Sequence, residues 1–300
     1  MSSAYVVITP VRNEARFLPL TVKSLRAQTL KPVRWVIVDD GSTDQTLAIA
    51  EEAARSEPWI QVVRRGDRGF RLSGQGVVEA FYDGYRRVEQ EPWEFISKFD
   101  GDLSFDPDYF ERCLAEFVSD PRLGIGGGMC CAEVEGRRVP EFPGDPPFHV
   151  RGPTKIYRRA CWEQIGGLPS VAGWDGIDEL KANMLGWRTR TFRDVLITHH
   201  RPTGSADGVW KNQAKFGRAN FIMGYHPLFM AAKLCKRVFH RPYVIGAAGM
   251  AWGYIGAWLR GVRQIDDPAL IRFVREEQLK TLRGQESIWR PARQPAGISS

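Results

Sequence analysis

The sequence has few cysteines and no arrangement of them that would build a structural framework. Its five cysteines are an odd number, and none forms the Cys-x-x-Cys spacing of zinc or redox sites. The pattern therefore argues against a disulfide framework or a zinc site, and a reducing compartment fits best. The amino terminus lacks a basic segment followed by a long apolar run, so we expect no signal peptide.

A glycine fingerprint for dinucleotides is also missing. The densest glycine stretch, residues 124–128, has Met129 where the last glycine of such a motif would stand. So many glycines also predict that this stretch forms no regular element. We find no internal repeat and no low-complexity tract, which excludes repeat architectures.

An excess of acidic residues is likewise absent. The net charge is +7, and the hydrophobic and charged fractions, 43% and 26%, are ordinary for a folded protein. A basic protein suits anionic partners, among them nucleotides, nucleic acid or an anionic membrane surface. Net charge alone does not choose among these partners.

Short apolar runs alternate with segments of helical periodicity along most of the chain. The predicted strands are residues 5–9, 33–38, 61–64, 95–99 and 195–198. The predicted helices are residues 17–28, 45–54, 77–89, 107–118, 175–186, 227–239 and 265–282. This alternation predicts an α/β fold with a mostly parallel sheet flanked by helices. We expect a surface loop at residues 137–153 and disorder after residue 284.

Two acidic pairs follow two of these strands. Asp39 and Asp40 come directly after the second strand, and Asp100 and Asp102 follow the fourth. In open α/β sheets, ligands bind beyond the carboxyl ends of the strands. Carboxylates gathered there repel each other and any phosphate, so they need a cation or hydrogen-bond donors between them. The pattern therefore predicts a metal–nucleotide site.

A third polar loop follows the first strand and is expected to reach the same edge of the sheet. Pro10 ends that strand, and Glu14 can accept a hydrogen bond from a base N–H or a ribose hydroxyl. Arg12 can face a phosphate. Ser42 begins the turn after the second strand, so we count it among the candidate nucleotide-binding residues.

Three segments together resemble the nucleotide-sugar half of a family-2 glycosyltransferase with the GT-A fold: residues 9–14, 36–44 and 99–102. Residues 152–159 and 166–168 resemble the acceptor-side segment of the same family. The resemblance covers about residues 4–205, and the Asp-Asp-Gly-Ser block at residues 39–42 is its most specific part.

The resemblance implies an inverting transfer of sugar from a UDP- or GDP-sugar, assisted by Mn²⁺ or Mg²⁺. It implies that Asp40 holds the base of the nucleotide and that Asp102 is a metal ligand. Asp39 and Asp100 complete the acidic part of the predicted donor site. Arg71 is a further candidate for the diphosphate.

The resemblance also implies a general base at the start of a helix. Counting back eleven residues from the Gly186-Trp187 pair reaches Asp175. Trp174 stands where the family usually has Glu, and this departure leaves Asp178 and Glu179 on the same helical face as rivals. We take Asp175 and Asp178 as candidate catalytic residues. The alternative is that Asp175 only caps the helix.

Two histidines, His199 and His200, follow the last predicted strand. A neutral imidazole can be a further metal ligand, and the family places a histidine here. Alternation along the strand points His200 toward the start of the loop, so we predict that His200 binds the metal. A buried, hydrogen-bonded histidine without a ligand role is the alternative.

The last third of the chain differs in character, and we predict a catalytic domain at residues 1–215 followed by a helical region at 216–300. The catalytic domain would divide near residue 105 into nucleotide-sugar and acceptor halves. Residues 227–260 are apolar and basic, and residues 242–259 carry no charge. For this stretch a soluble core, a helix lying on a membrane and a membrane span all stay open.

These observations predict a glycosyltransferase acting on a lipid-linked or polysaccharide acceptor, in the cytoplasm at the inner face of the cell membrane. Nucleic acid is not an expected partner, and the oligomeric state stays open. One alternative is a sugar-phosphate nucleotidyltransferase, although residues 10–14 are not the glycine-rich loop that such enzymes carry. Another is a membrane-docked binding subunit that has lost activity.

Overall fold

The computed structural model describes residues 4–67, 75–201, 208–239 and 243–291. The chain divides into two compact units. The first unit comprises Met1–Asp145 and His149–Pro202, and the second comprises Pro146–Phe148 and Thr203–Ser300.

Within the described residues, nine strands form a single sheet in the first unit. They are β1 Tyr5–Val11, β2 Arg34–Asp39, β3 Ile60–Arg64, β4 Phe95–Phe99, β5 Leu103–Phe105, β6 Leu123–Val134, β7 Arg137–Pro140, β8 Thr154–Arg158 and β9 Arg188–His199. Their order is β3-β2-β1-β4-β8-β6-β9-β5, and β7 pairs with β6 outside this path. Strands β3, β2, β1 and β4 are parallel to their neighbours, whereas β8 runs antiparallel to both β4 and β6.

Helices cover both faces of this sheet, as the α/β prediction requires. They are α1 Leu18–Arg26, α2 Thr46–Ser56, α3 Gln75–Tyr85, α4 Tyr109–Ser119, α5 Arg159–Ile165 and α6 Trp174–Met184. Alternation along β1 sends Val7 into a core with Leu18 of α1, and Ile8 into a second core with Phe81 of α3. Because both faces of the central strands are buried, their side chains are apolar almost throughout.

The glycine-rich stretch at residues 124–128 is part of a central strand, so the prediction of no regular element there is wrong. Strand β6 pairs with both β8 and β9. A Cβ atom on Gly127 would lie 2.2 Å from the carbonyl oxygen of Thr154, and one on Gly126 would lie 2.4 Å from Phe192. Close packing therefore requires glycine here, and it outweighs the weak strand propensity of this residue.

The second unit contains four helices within the described residues: α7 Val209–Ile222, α8 Pro227–Arg237, α9 Tyr243–Leu259 and α10 Pro268–Leu282. The predicted helices at 227–239 and 265–282 correspond to α8 and α10. The chain after residue 284 is not disordered as far as it is described, because Ser287 pairs with Arg290. Trp289 also packs edge-on against Phe148, with ring centroids 5.1 Å apart. The loop predicted at 137–153 is partly a strand, β7.

Helix α9 occupies the uncharged stretch at residues 242–259. In the parts of the chain that the structure describes, no helix combines the length and the apolar character that crossing a membrane requires.

Candidate active site

The ends of β1 and β2 lie side by side, since Val11 is paired with Asp39 in the parallel register. Asp40 continues this pairing by donating its backbone N–H to the Val11 carbonyl oxygen at 2.8 Å. The Arg12 guanidinium donates to the Asp40 carbonyl oxygen at 2.7 Å and to the Asp67 carboxylate at 2.7 Å. Arg12 thus holds the loop after β2 in place and lies at the predicted nucleotide edge.

The two neighbouring carboxylates of β2 have different surroundings. Asp40 forms a 2.5 Å ion pair with Arg65, which also pairs with Asp83 at 2.5 Å. Asp39 is 1% exposed, and its Oδ2 accepts a 3.3 Å hydrogen bond from the Ser42 backbone N–H. Its Oδ1 is buried and has no hydrogen-bond partner among the described residues.

Ser42 contributes to the shape of the edge through its hydroxyl group. Its Oγ accepts from the Asn13 backbone N–H at 3.0 Å, and the Asn13 side chain accepts from Thr43 at 2.8 Å. Asn13 has a φ of +55°, a left-handed conformation that asparagine tolerates better than most residues. The prediction that Pro10 ends the first strand is wrong, because β1 continues through Pro10 to Val11. The reciprocal bonds therefore join the loop after Val11 to the loop after β2.

Glu14 and the chain after β9 approach each other around Phe17. The Glu14 carboxylate forms a 2.5 Å ion pair with Arg201. The His200 ring stacks on Phe17 at 5.7 Å, and the Arg201 guanidinium also lies 5.7 Å from that ring. The loop after β1 therefore contacts the segment that follows β9, on the same side as Asp102.

Asp100 and Asp102 point to different partners. The Asp100 carboxylate pairs with the ammonium of Lys98, a buried residue of β4. Oδ2 of Asp102 lies 3.5 Å from Nε2 of His199, whose Nδ1 lies 2.8 Å from Glu141. Burial lowers the pKa of His199, but its hydrogen bonds with Asp102 and Glu141 outweigh burial and raise the pKa to about 10.

The two histidines at the end of β9 are placed differently from the sequence prediction. His199, the last residue of β9, faces the Asp102 carboxylate. The predicted ligand His200 instead lies 2.8 Å from the Ser104 hydroxyl through Nε2, and burial lowers its pKa. Strand β9 continues through His199, one residue farther than predicted, so this residue is still paired in the sheet, with Leu103 of β5, and its ring lies against Asp102.

Asp102 retains one carboxylate oxygen that could bind a cation. Its Oδ1 is buried without a hydrogen-bond partner in the described part of the chain. A buried carboxylate oxygen without a donor is costly, and a divalent ion would satisfy it. The described residues contain no cluster of three or more His, Cys, Asp or Glu that could hold a metal by themselves. Magnesium and manganese sites that use one or two carboxylates together with substrate phosphates need no such cluster.

The three acids of α6 separate into one partly exposed and two buried groups. Asp178 and Glu179 are 1% and 0% exposed, and both pair with the buried ammonium of Lys155, at 2.7 and 2.8 Å. Asp178 also accepts a 2.6 Å hydrogen bond from Tyr157. Burial, with the neighbouring Glu179 charge, raises the pKa of Asp178 to about 6 despite Lys155.

Asp175 is the acid of this helix that reaches the surface. Its side chain is partly exposed, and its carbonyl oxygen accepts from Lys155 at 2.5 Å. Burial alone would raise the pKa of Asp175, but the charges of Lys155 and His149 outweigh it and lower that pKa. A Cβ atom on Gly152 would lie 3.4 Å from the Asp175 carboxylate, so the backbone there passes close to this group.

Trp174 replaces the expected acid with an aromatic face. Its indole ring lies 5.4 Å from the Lys98 ammonium and 5.5 Å from that of Lys155. A ring at this distance attracts a cation through its negative face. Trp174 is not the acid that the family usually has at this position, but its ring also stabilises positive charge there.

Several residues of this region were missed by sequence reasoning: Arg65, Lys98, Glu141, His149 and Lys155. The sequence contains one sign that the two lysines are unusual, because each interrupts a short run of strand-forming residues. The ion pairs of Arg65 and Glu141 join parts of the chain that no spacing rule connects. Of the predicted residues, Arg71 lies outside the described part of the chain.

A cavity of about 580 Å³ lies beside the Asp40–Arg65 pair. Its lining is rich in arginine and includes Arg64, Arg65, Arg86 and Arg87. Neither Asp100 and Asp102, which follow β4, nor the acids of α6 line this cavity, so it lies to one side of the carboxylate edge.

Comparison with known proteins gives a consistent assignment. Residues 6–159 match the family described as Glycosyl transferase family 2. A chondroitin synthase from Pasteurella multocida is 28% identical over 117 residues, which cover 39% of this chain and 11% of that protein. A polyprenol monophosphomannose synthase from Mycolicibacterium smegmatis is 30% identical over 139 residues, which cover 46% of this chain and 48% of that protein. The chain thus spans half or less of the length of these curated relatives.

Among solved structures, the mannosyltransferase PcManGT from Pyrobaculum calidifontis, in complex with GDP-Man and Mn²⁺, resembles this chain with a TM-score of 0.55. The two are 19% identical, and the match covers 92% of this chain and 80% of that one. A likeness at this identity concerns the fold alone, and it confirms the predicted GT-A type.

Proposed function

The chain belongs to glycosyl transferase family 2, and from this premise we propose that it transfers a sugar, with inversion, from a nucleoside diphosphate sugar to a hydroxyl group. One observation carries the proposal. Asp39 and Asp102, near the ends of β2 and β4, each bury a carboxylate oxygen without a partner among the described residues. Folded proteins rarely leave such atoms unsatisfied, so a ligand with hydrogen-bond donors and a cation fits this edge.

The donor nucleotide would bind at the β1–β2 edge. We propose that the Asp39 carboxylate, and not that of Asp40, accepts a hydrogen bond from an N–H of the base. The Asp40 carboxylate already pairs with Arg65. The Asp39 oxygen is fixed by the Ser42 backbone N–H, which keeps it oriented before the donor arrives. The bases of UDP and GDP both have an N–H that can donate a hydrogen bond to a carboxylate, so either donor fits.

The diphosphate of the donor would lie beside Asp102 with a divalent ion, Mn²⁺ or Mg²⁺. We propose Asp102 as the protein ligand and His199 as its neighbour, because Nε2 of His199 faces the same carboxylate. When bound, the ion neutralises the charge that develops on the leaving diphosphate. A mannosyltransferase of similar fold was solved in complex with GDP-Man and Mn²⁺, which supports the use of a divalent ion here.

Asp175 is the proposed general base. The acceptor oxygen bonds to the anomeric carbon of the donor sugar from the face opposite the diphosphate, and the bond from that carbon to the diphosphate oxygen breaks. Asp175 takes the proton of the acceptor hydroxyl, and the nucleoside diphosphate leaves. A carboxylate in this role contributes on the order of 100- to 10,000-fold. The low pKa of Asp175 keeps it ionised at neutral pH and ready to accept.

Asp178 and Glu179 are proposed as positioning residues that act through Lys155. Both carboxylates are buried and hydrogen-bonded, so neither can reach an acceptor hydroxyl without breaking the cluster. Lys155 links them to the Asp175 backbone. The three groups thereby fix the start of α6, where Asp175 must meet the acceptor.

The acceptor is proposed to be a hydroxyl of a lipid-linked or polysaccharide glycan, and the enzyme is proposed to act at the inner face of the cell membrane. The polyprenol relative supports a lipid-linked acceptor, and the chondroitin relative supports a polysaccharide acceptor. Contact with the membrane would use residues 227–260, which are apolar and basic.

A thermal-shift screen with a panel of UDP- and GDP-sugars, with and without Mn²⁺, tests the donor part of this proposal. The cognate donor at a hundred times its dissociation constant should stabilise the protein by about 2.7 kcal/mol. The stabilisation should need Mn²⁺ and should be lost in Asp102→Ala. A shift by nucleoside triphosphates with release of pyrophosphate would instead support a nucleotidyltransferase.

A further inference from the structure

Helix α9 buries its small residues and exposes its large apolar ones, which is the reverse of an ordinary surface helix. Its buried residues are small apart from Met250, and most are glycine or alanine. Its large side chains point outward: Trp252, Trp258 and Leu259 are 60%, 65% and 72% exposed. A water-facing helix normally buries its large apolar residues and exposes polar ones.

The packing against α7 prevents α9 from rotating to bury these side chains. A Cβ atom on Gly253 would lie 1.9 Å from the carbonyl oxygen of Ala214. In the other direction, one on Gly217 would lie 1.9 Å from the carbonyl oxygen of Met250. Only glycine permits this approach, so any other face of α9 would clash with α7.

The exposed side chains form one continuous stripe. Val244, Ala248, Trp252, Ile255 and Leu259 follow each other at spacings of three or four residues, which places them on one side of the helix. We call this stripe the outer face of α9. It contains no charged residue, and contiguous apolar surfaces of this kind mark interaction sites.

The segment of sequence that contains α9 carries charge of a single sign. Residues 208–265 contain nine Lys and Arg and no Asp or Glu. Lys236, Arg260 and Arg263 are exposed among them. A second copy of this chain would bring the same positive charges to the contact, which disfavours self-association through this face. An apolar stripe within a basic segment instead complements an anionic lipid surface, which attracts cations that lie close to it.

We propose that the outer face of α9 docks onto an anionic bilayer surface, with its apolar side chains in the interfacial region and the surrounding cations on lipid headgroups. Because the opposite side of α9 is packed on α7, the helix lies on the surface. Trp252 of the outer face and Trp258, which is exposed three residues after Ile255, suit this depth, since tryptophan is enriched at membrane–water interfaces. The inference deepens the proposed function and rests on it, since an enzyme that uses a lipid-linked acceptor must work at a membrane surface.

Co-sedimentation of the full chain with lipid vesicles tests the docking face without any donor or acceptor. The vesicles contain phosphatidylcholine alone or phosphatidylcholine mixed with phosphatidylglycerol. Ile255→Glu places a charge on the outer face, and Val118→Glu is the matched control, because Val118 is 68% exposed on α4 of the first unit. Both changes fall on exposed helical positions, so both variants should fold, which thermal unfolding checks.

We expect the wild type to bind the phosphatidylglycerol vesicles and to release them at high salt. Ile255→Glu should lower the partition coefficient roughly tenfold or more, and Val118→Glu should leave it unchanged. Failure of the wild type to bind, or an equal effect of the two variants, overturns the docking face. A wild-type dimer that Ile255→Glu converts to monomer, without vesicle binding, assigns the face to a second copy and also overturns it. Asp175→Asn should bind vesicles like the wild type. A failure of the catalytic proposal can therefore be distinguished from a failure of the docking proposal.

Discussion

Lys98 and Lys155 lie directly opposite each other on the adjacent antiparallel strands β4 and β8. Both are almost fully buried, a position where two like charges repel each other strongly. The indole of Trp174 lies within cation–π distance of both ammonium groups. Lys98 then pairs with Asp100 on the donor side, while Lys155 pairs with Asp178 in the helix of the proposed base. The pair thus connects the two halves of the site.

Loss of the aromatic face of Trp174 should weaken this arrangement. Trp174→Leu removes the face, whereas Trp174→Phe keeps an aromatic ring of smaller size. Because a partly desolvated cation–π contact contributes about 0.5 to 2 kcal/mol, we expect the Leu variant to be less stable than the Phe variant by about 1 kcal/mol or more. Urea unfolding measures the difference. Equal stability of the two variants would show that the ring contributes packing alone.

Removal of the Lys155 ammonium should be strongly destabilising. Lys155→Met leaves the carboxylates of Asp178 and Glu179 buried without their shared cation, and breaking such a pair costs about 3–5 kcal/mol. Adding Glu179→Gln removes one of the two uncompensated charges, so the double variant should recover part of the loss. The free energy of unfolding of the two single variants and the double variant gives the coupling. Purely additive losses would contradict this charge balance.

The His149–Glu179 contact predicts a pH-dependent stability. Burial opposes protonation of His149, but Glu179 at 2.9 Å outweighs burial and raises the pKa of His149 above 6.5. The folded state therefore holds this proton more tightly than the unfolded chain. The stabilisation is complete below the unfolded pKa and is lost as the pH rises through the folded pKa.

His149→Gln keeps a hydrogen-bond donor but cannot carry the charge. We expect the wild type to exceed this variant in free energy of unfolding at about pH 5.5, with a difference that shrinks toward alkaline pH. Denaturant unfolding at several pH values measures the difference. A difference that is constant, or that grows with pH, would argue against a charged His149.

A methyl group at Gly152 should disturb the proposed base directly. The added Cβ of Gly152→Ala would lie 3.3 Å from the Trp174 ring and 3.4 Å from the Asp175 carboxylate. We expect kcat to fall roughly tenfold with little change in the donor KM, because small displacements of a catalytic group are costly. Gly144→Ala is the control, since no atom lies within 4 Å of the Cβ position there. Unchanged turnover in Gly152→Ala would place the acceptor elsewhere.

The carboxylate edge was accessible to sequence reasoning because its acids follow apolar strands directly. Asp39 and Asp102 each come at or just after a strand end, and parallel strands bring such ends together. The buried lysines were not predicted, because a lysine in a strand is normally taken to face solvent. Only the paired register of β4 and β8 shows that Lys98 and Lys155 share one aromatic ring.

The histidine beside the proposed metal ligand and the glycine-rich strand β6 were harder to predict. Neighbouring residues of a strand point to opposite faces, and only the pairing of His199 with Leu103 of β5 shows that the His199 ring lies against Asp102. Strand β6 was missed because glycine weakens a strand in isolation, whereas contacts with Thr154 and Phe192 require it here.

The central claim is that Asp175 takes the acceptor proton at an edge where the donor is held by other residues. The most direct test measures the rate of nucleoside diphosphate release from the cognate donor, together with donor affinity by calorimetry, for the wild type and Asp175→Asn. The account predicts a fall in rate of about 100- to 10,000-fold with an unchanged dissociation constant for the donor with Mn²⁺. Release at the wild-type rate by Asp175→Asn would contradict it.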